Sequence, residues 1–143
     1  MSSDAADLQE AVARFVRAFG LHQPDRTPCG TSIPTSEAHA LGELARDGEL
    51  RQVELVHRLR LEKSTTSRIV AQLVQRGWAE RASAPGDGRG VLVRLTPQGH
   101  QAARRLAAAR RARFGTALER IPADERDAVL RALTLLTEAV DEP

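Results

Sequence analysis

Apolar residues recur at three- and four-residue intervals along most of the chain, the spacing of helices with one buried face. Leu8, Val12, Phe15, Val16 and Phe19 form the first such stripe, predicting a helix from about Asp7 to Gly20. The stretch HQPDRTPCGTSIP, from His22 to Pro34, carries three prolines and a glycine and reads as irregular chain. Thr35 is then a suitable N-cap for a helix to about Arg46 that turns Leu41 and Leu44 inward and stops at Asp47-Gly48. A short helix from Gln52 to Arg60 offers Leu55, Val56 and Leu59. The next, from Lys63 or Ser64 to about Arg76, groups Ile69, Val70, Leu73 and Val74 on one side and Ser64, Thr65, Arg68, Gln72 and Gln75 on the other.

After Gly77, a suitable helix-terminating glycine, the period changes. Trp78–Ser83 and Val91–Leu95 read as two short strands joined by APGDGRG, the second alternating Val91, Val93 and Leu95 against Leu92 and Arg94. Thr96-Pro97 pairs an N-cap with proline at the first helical position and opens a long helix to about Leu118. Pro122 interrupts it. A last helix from about Ala123 to Val140 aligns Val129, Leu130, Leu133, Leu136 and Val140. The predicted class is mainly α with a small β-wing: a winged helix-turn-helix within six helices.

Composition narrows this picture. With 143 residues, 41% hydrophobic and 28% charged, the chain suits one soluble domain. Three Phe, one Trp and no Tyr leave the core to aliphatic side chains. No stretch approaches the roughly 18 apolar residues of a membrane span. The start, MSSDAADLQE, lacks the basic and apolar regions of a signal peptide. A cytoplasmic protein is expected, and its single cysteine makes no internal disulfide. The formal charge of +2 conceals a polarised chain: residues 51–113 hold 14 Lys/Arg against four Asp/Glu, a net of +10, and the remainder nets −8. A basic middle flanked by acidic ends fits a face that meets nucleic acid, although a solvated Arg-rich surface gives the same tally.

The polar-faced helix supplies the expected contacts. A helix fits the major groove of B-DNA, and its N-terminal dipole and N–H groups favour phosphate. Lys63, Ser64, Thr65 and Thr66 occupy its first turn, with Arg68, Gln72 and Arg76 further along. Arg68 can pair bidentately with guanine; Ser64 and Thr65 can touch phosphate or base edges, or equally cap the helix. In the wing, glycines 86, 88 and 90 permit a sharp turn that brings Arg89 toward the minor groove, with Asp87 placed to orient a neighbouring Arg.

Residues 50–100 closely resemble the winged helix-turn-helix core of the MarR family of transcriptional regulators. The likeness rests on the leucine-rich first helix, the Ser-Thr-rich start of the second and the L-x-x-R-G run from Leu73 to Gly77. It continues through the Asp-x-Arg of the wing and V-x-L-T-x-x-G from Val93 to Gly99. It implies a single domain over residues 1–143, with a DNA-binding lobe at 34–98 and dimerisation helices in 1–33 and 99–143. It also implies a homodimer bound to double-stranded DNA, a pseudo-palindromic operator with half-sites about 34 Å apart, and a small aromatic or phenolic effector. The apolar stripes of the first and last helices agree with a dimer. Many relatives carry a second basic residue in the wing where this chain has Gly88, implying a weaker and freer grip.

Other signals remain open. One branch of the family oxidises a cysteine in its first helix beside tyrosines, whereas Cys29 follows that helix in a chain without Tyr. Another binds zinc; Cys29, Glu37 and His39 resemble part of its ligand set, but the later histidines are absent. Cys29 and His39 are therefore candidate effector-pocket residues, with a thiol- or metal-responsive regulator as the alternative. No metal or cofactor is expected. Catalysis by Cys29 with His22 or His39 lacks any element to fix a nucleophile. GDGRG opens a strand and not the helix of a dinucleotide loop. A winged module that binds protein is the remaining alternative, one that would not need Arg68, Arg76, Arg81, Arg89 and Arg94 around one lobe.

Overall fold

A computed structural model describes residues 2–21, 26–27, 32–86 and 90–141. Six α-helices and three strands follow one another: α1 Ser2–Phe19, α2 Thr35–Asp47, β1 Glu49–Arg51, α3 Gln52–Leu59, α4 Lys63–Gln75, β2 Ala79–Ser83, β3 Val91–Leu95, α5 Pro97–Glu119 and α6 Arg126–Val140. A 3₁₀ turn at Ala123–Glu125 precedes α6. The predicted class holds, with α1 beginning at Ser2, five residues before its expected start at Asp7. The chain divides into two compact units, Met1–Ala109 and Arg110–Pro143, at a point within α5.

The first unit holds the core. Leu41 and Leu44 of α2, Leu55 of α3 and Ile69, Val70 and Leu73 of α4 meet Leu50, Val93 and Leu95 of the sheet and Ala102, Ala103 and Leu106 of α5. The inward faces predicted for α2 and α4 are thus buried where their spacing puts them, except that Val74 is 38% exposed, whereas Leu8, Val12 and Phe15 of the α1 stripe are exposed. The sheet has the order β1-β3-β2, all antiparallel, with Leu50 opposite Val93 and Arg81 opposite Val93 on the other side. Strand β1 was not predicted. Three residues are too few to show alternation, and Leu50 becomes a strand residue because burial against β3 leaves its backbone groups no other partner.

Two helix ends differ from expectation. Thr35 does not cap α2: Pro34 is the N-cap residue, its carbonyl receives the first helical bond from Ala38 at 3.1 Å, and the buried Thr35 hydroxyl has no partner. Glu62 precedes α4 without a side-chain cap. Ser64 and Thr65 therefore lie inside the first turn, and neither caps it. Between α3 and α4 the chain turns at Arg60, whose φ of 56° is left-handed, a conformation that costs a non-glycine residue about 1–2 kcal/mol.

Helix α4 ends in a Schellman motif. Gly77 N–H reaches Val74 O at 3.0 Å and Trp78 N–H reaches Leu73 O at 3.0 Å, with Gly77 at φ +79°. Thr96 then ties this exit to α5. Its hydroxyl donates to Gly77 O at 2.6 Å and accepts from Gly99 N–H at 3.1 Å, while its own N–H bonds Trp78 O at 3.0 Å. The predicted Thr96 cap is present and does more than cap. It brings α5 so close that a Cβ on Gly99 would lie 1.9 Å from Trp78 O.

The second unit contains the end of α5, the 3₁₀ turn and α6. Phe114, Leu118, Leu130, Leu133, Leu135 and Val140 are all exposed, and none of its described residues belongs to a buried core. Thr134 and Thr137 hydroxyls satisfy themselves on carbonyls four residues back, Leu130 O and Leu133 O.

Gly99→Ala is expected to destabilise the protein by about 3 kcal/mol or more in urea unfolding, because backbone and not a movable side chain fills the space. Gly115→Ala, where a Cβ meets nothing within 4 Å, is expected to stabilise by about 0.5–1 kcal/mol through helix propensity.

Candidate nucleic-acid interface and the cleft behind it

Helix α4 divides its residues sharply. Thr66, Ile69, Val70 and Leu73, at i, i+3, i+4 and i+7, are its buried residues. Ser64, Arg68, Gln72 and Gln75 line the exposed side, with Lys63 at the start and half-buried Thr65 beside them. Lys63 and Arg68 have no ion-pair partner among the described residues. The first N–H groups of α4 lack intrahelical acceptors, so this end carries both the dipole and free donors.

Two sequence-predicted contacts belong elsewhere. Thr66 is fully buried, and its hydroxyl finds no partner. Helical geometry turns the fourth residue of the Lys-Ser-Thr-Thr run into the core. Arg76 turns away from the Ser64–Gln75 stripe: Nε bonds Glu37 Oε1 of α2 at 3.0 Å, and the guanidinium lies 5.2 Å from the centre of the Trp78 ring. It stabilises the end of α4 by an ion pair and a cation–π contact.

Other arginines around the lobe are similarly engaged. Arg81 of β2 donates to Ser67 O at 2.9 Å, strapping the strand to α4. Arg94 of β3 pairs with Glu80 directly across the sheet at 2.7 Å. Arg58 of α3 bridges Asp47 and Glu43 of α2. Its hydrogen bond to Asp47 is the main reason its pKa is held above the usual arginine value. At the base of the wing, Ala84 N–H bonds Gly90 O at 3.0 Å; Asp87 and Arg89 lie outside the described residues.

Behind α4 lies a cleft of about 470 Å³. Ile33, Ala102 and Leu106 give it an apolar wall, and Trp78 an aromatic one. Arg76, Arg105 and Ser32 are its polar groups. Arg105 has no ion-pair partner among the described residues. The expected pocket residues are not these: His39 is exposed on α2, and Cys29 lies outside the described residues. Sequence reading missed Trp78 and Arg105 as cleft residues. Their signal was the coincidence of L-x-x-R-G-W with an α5 arginine one turn beyond Ala102, which becomes visible only once Gly99 sets how closely α5 approaches. Among the described residues no three His, Cys, Asp or Glu side chains gather as a metal site, and no helix is long and apolar enough to cross a membrane.

A polar-faced helix projecting from a helical lobe, beside a three-stranded wing, defines a winged helix-turn-helix protein. The family model described as the MarR family matches residues 31–90. The chain belongs to that family: an HTH-type transcriptional regulator of Mycobacterium leprae is 33% identical over 141 residues, covering 96% of this chain and 93% of its own. Solved structures are similar as well. A cysteine-to-serine mutant of MarR from E. coli complexed with operator DNA shares 26% identity at a TM-score of 0.65, covering 77% of this chain and 76% of that one. The PcaV transcriptional regulator from Streptomyces coelicolor, in complex with its natural ligand, shares 25% identity at 0.67, covering 96% and 91%.

Thr66→Val is expected to raise stability by about 1 kcal/mol, since it removes an unpaired buried hydroxyl at nearly constant volume. Measured by thermal and urea unfolding, a loss of stability would show that the hydroxyl is satisfied after all.

Proposed function

We propose that the protein is a cytoplasmic, non-catalytic repressor that binds a pseudo-palindromic operator as a homodimer and responds to a small aromatic or phenolic effector. The observation that carries the DNA-binding reading is the stripe Ser64, Arg68, Gln72 on α4, exposed while the opposite side of the helix is buried. Arg68 reads guanine; Lys63, Ser64 and Thr65 hold phosphate at the helix N-terminus. Arg89, with Asp87 to orient its neighbour, enters the minor groove from the wing. Residues 34–98 form the DNA-reading lobe, and 1–33 and 99–143 the dimerisation segments. Exposed Leu8, Val12 and Phe15 of α1 and Leu130 and Leu133 of α6 support a second copy. The cleft beside Trp78 supports an effector, as does the ligand-bound PcaV neighbour. His39 does not line it and Cys29 lies outside the described residues, so neither carries a part of this reading.

Selection of bound genomic fragments by the purified protein, followed by salt-titrated anisotropy on the best fragment, tests the assignment. Arg68→Ala is expected to cost about 1–3 kcal/mol at the preferred base and relax that preference. Lys63→Ala and Arg89→Ala should weaken many sequences alike and each lower the salt slope by about 0.9 for every phosphate left without its cation. Unchanged binding in all three variants, or no enriched fragment, would favour a protein-binding module. Leu133→Glu is expected to shift sedimentation equilibrium from dimer to monomer.

A further inference from the structure

A second groove, of about 350 Å³, opens where α3, the start of α4 and the base of the wing converge. Val53 and Val56 of α3 and Val91 of β3 give it apolar walls. Its ionisable groups come from three elements: Arg51 of β1, His57 of α3 and Lys63 of α4. Among the described residues no carboxylate lines it. Resting on the reading of α4 as the DNA-reading helix, we propose that this groove seats the sugar-phosphate backbone of double-stranded DNA, and that His57 takes up a proton as the phosphate enters.

The lining suits one stretch of backbone. A deoxyribose packs its carbons on branched aliphatic side chains, and its phosphodiester accepts hydrogen bonds from cations. Val53 is 58% exposed, so a sugar laid on it removes apolar surface from water. Lys63 is the first residue of α4, which makes the groove continuous with the exposed stripe of Ser64, Arg68 and Gln72. A duplex read by that stripe brings its backbone to the groove.

His57 is the member of the seat whose charge depends on conditions, since imidazole is the side chain that ordinarily changes charge between about pH 5 and 8. The charges around it come from every element packed against α3. Arg51 of β1 and Lys63 of α4 oppose a further positive charge. Glu43 and Asp47 of α2 are bridged by Arg58, and Arg94 of β3 is paired with Glu80. On α3 itself, Glu54 turns its carboxylate back to Arg51 N–H at 3.4 Å. Glu49, Arg60 and Glu62, in the neighbouring strand and turn, do not line the groove. A phosphate placed among Arg51, His57 and Lys63 favours the imidazolium over the neutral ring. The complex then holds the proton more tightly than the free protein does, so binding strengthens as pH falls and weakens as pH rises.

Anisotropy of a labelled duplex of arbitrary sequence tests this with the intact protein, because phosphate carries no sequence information. Affinity is expected to rise about ten-fold from about pH 8.5 to about pH 5.5, the effect of a proton held about ten-fold more tightly in the complex. The salt slope should be steeper by about 0.9 at the lower pH, where one more cation displaces counterions. His57→Gln, at an exposed position, should match wild type at the higher pH and lose both changes. His57→Arg, charged throughout, should bind at the higher pH as wild type does at the lower. Val53→Glu, which sets a carboxylate in the groove without entering the core, should weaken the duplex about ten-fold at both. His39→Gln, outside the groove, should keep the wild-type pH response.

A pH response that survives in His57→Gln, or a flat response in wild type with DNA bound, would overturn the proton uptake at His57 while leaving the DNA reading intact. Binding indifferent to Val53→Glu would remove the groove from the interface. No binding of any duplex at either pH would remove the DNA reading itself, and the seat with it.

Discussion

Thr96 holds two backbone groups on one hydroxyl, and the arrangement of the first unit depends on that economy. By donating to Gly77 O and accepting from Gly99 N–H it fixes the exit of α4 against the entry of α5. The approach is between main chains, so no side-chain rearrangement can absorb a change in it. A glycine at each end follows: Gly77 because the turn needs a left-handed residue, Gly99 because no Cβ fits under Trp78 O. Recognition helix, wing and long helix thereby share one rigid joint, and the cleft lined by Trp78 and Arg105 lies beside it.

Basic residues on this lobe divide by partner and not by number. Arg58, Arg76, Arg81 and Arg94 each meet an acidic side chain or a carbonyl and hold one element to another. For DNA their charge is partly spent already, because a pair presents a dipole where a lone cation presents a field. Lys63 and Arg68 keep theirs. The surplus of positive charge in residues 51–113 consequently overstates the field of this lobe, since four of its arginines are already engaged.

The helices, the two wing strands, the Gly77 exit and the Thr96 cap were legible because each rests on local spacing or on one residue's backbone chemistry. Even the burial of Thr66 was written in the chain: it stands three, four and seven residues before Ile69, Val70 and Leu73, but a hydroxyl-rich run suggested an outward turn. Strand β1 was not legible, since its pairing with β3 is created by tertiary contact alone. Nor was the partnership of Arg76 with Glu37, 39 residues apart. Distant pairs like this depend on how helices cross, which periodicity leaves undetermined. His39, expected at a pocket, stands on the exposed side of α2 and does not line the Trp78 cleft.

The central place of β3 in the sheet has a consequence for how the protein behaves at high concentration. With β1 on one side and β2 on the other, only the short β1 and the outer β2 present unpaired peptide edges. Strand β2 reads Ala-Glu-Arg-Ala-Ser, and its Glu80, Arg81 and Ser83 are exposed. A neighbouring chain seeking to add a strand there would have to strip water from charged side chains that gain nothing in return. The apolar strand, Val91–Leu95, is the one already enclosed. A wing that must project far enough to touch a partner molecule can thus remain a poor template for fibre growth.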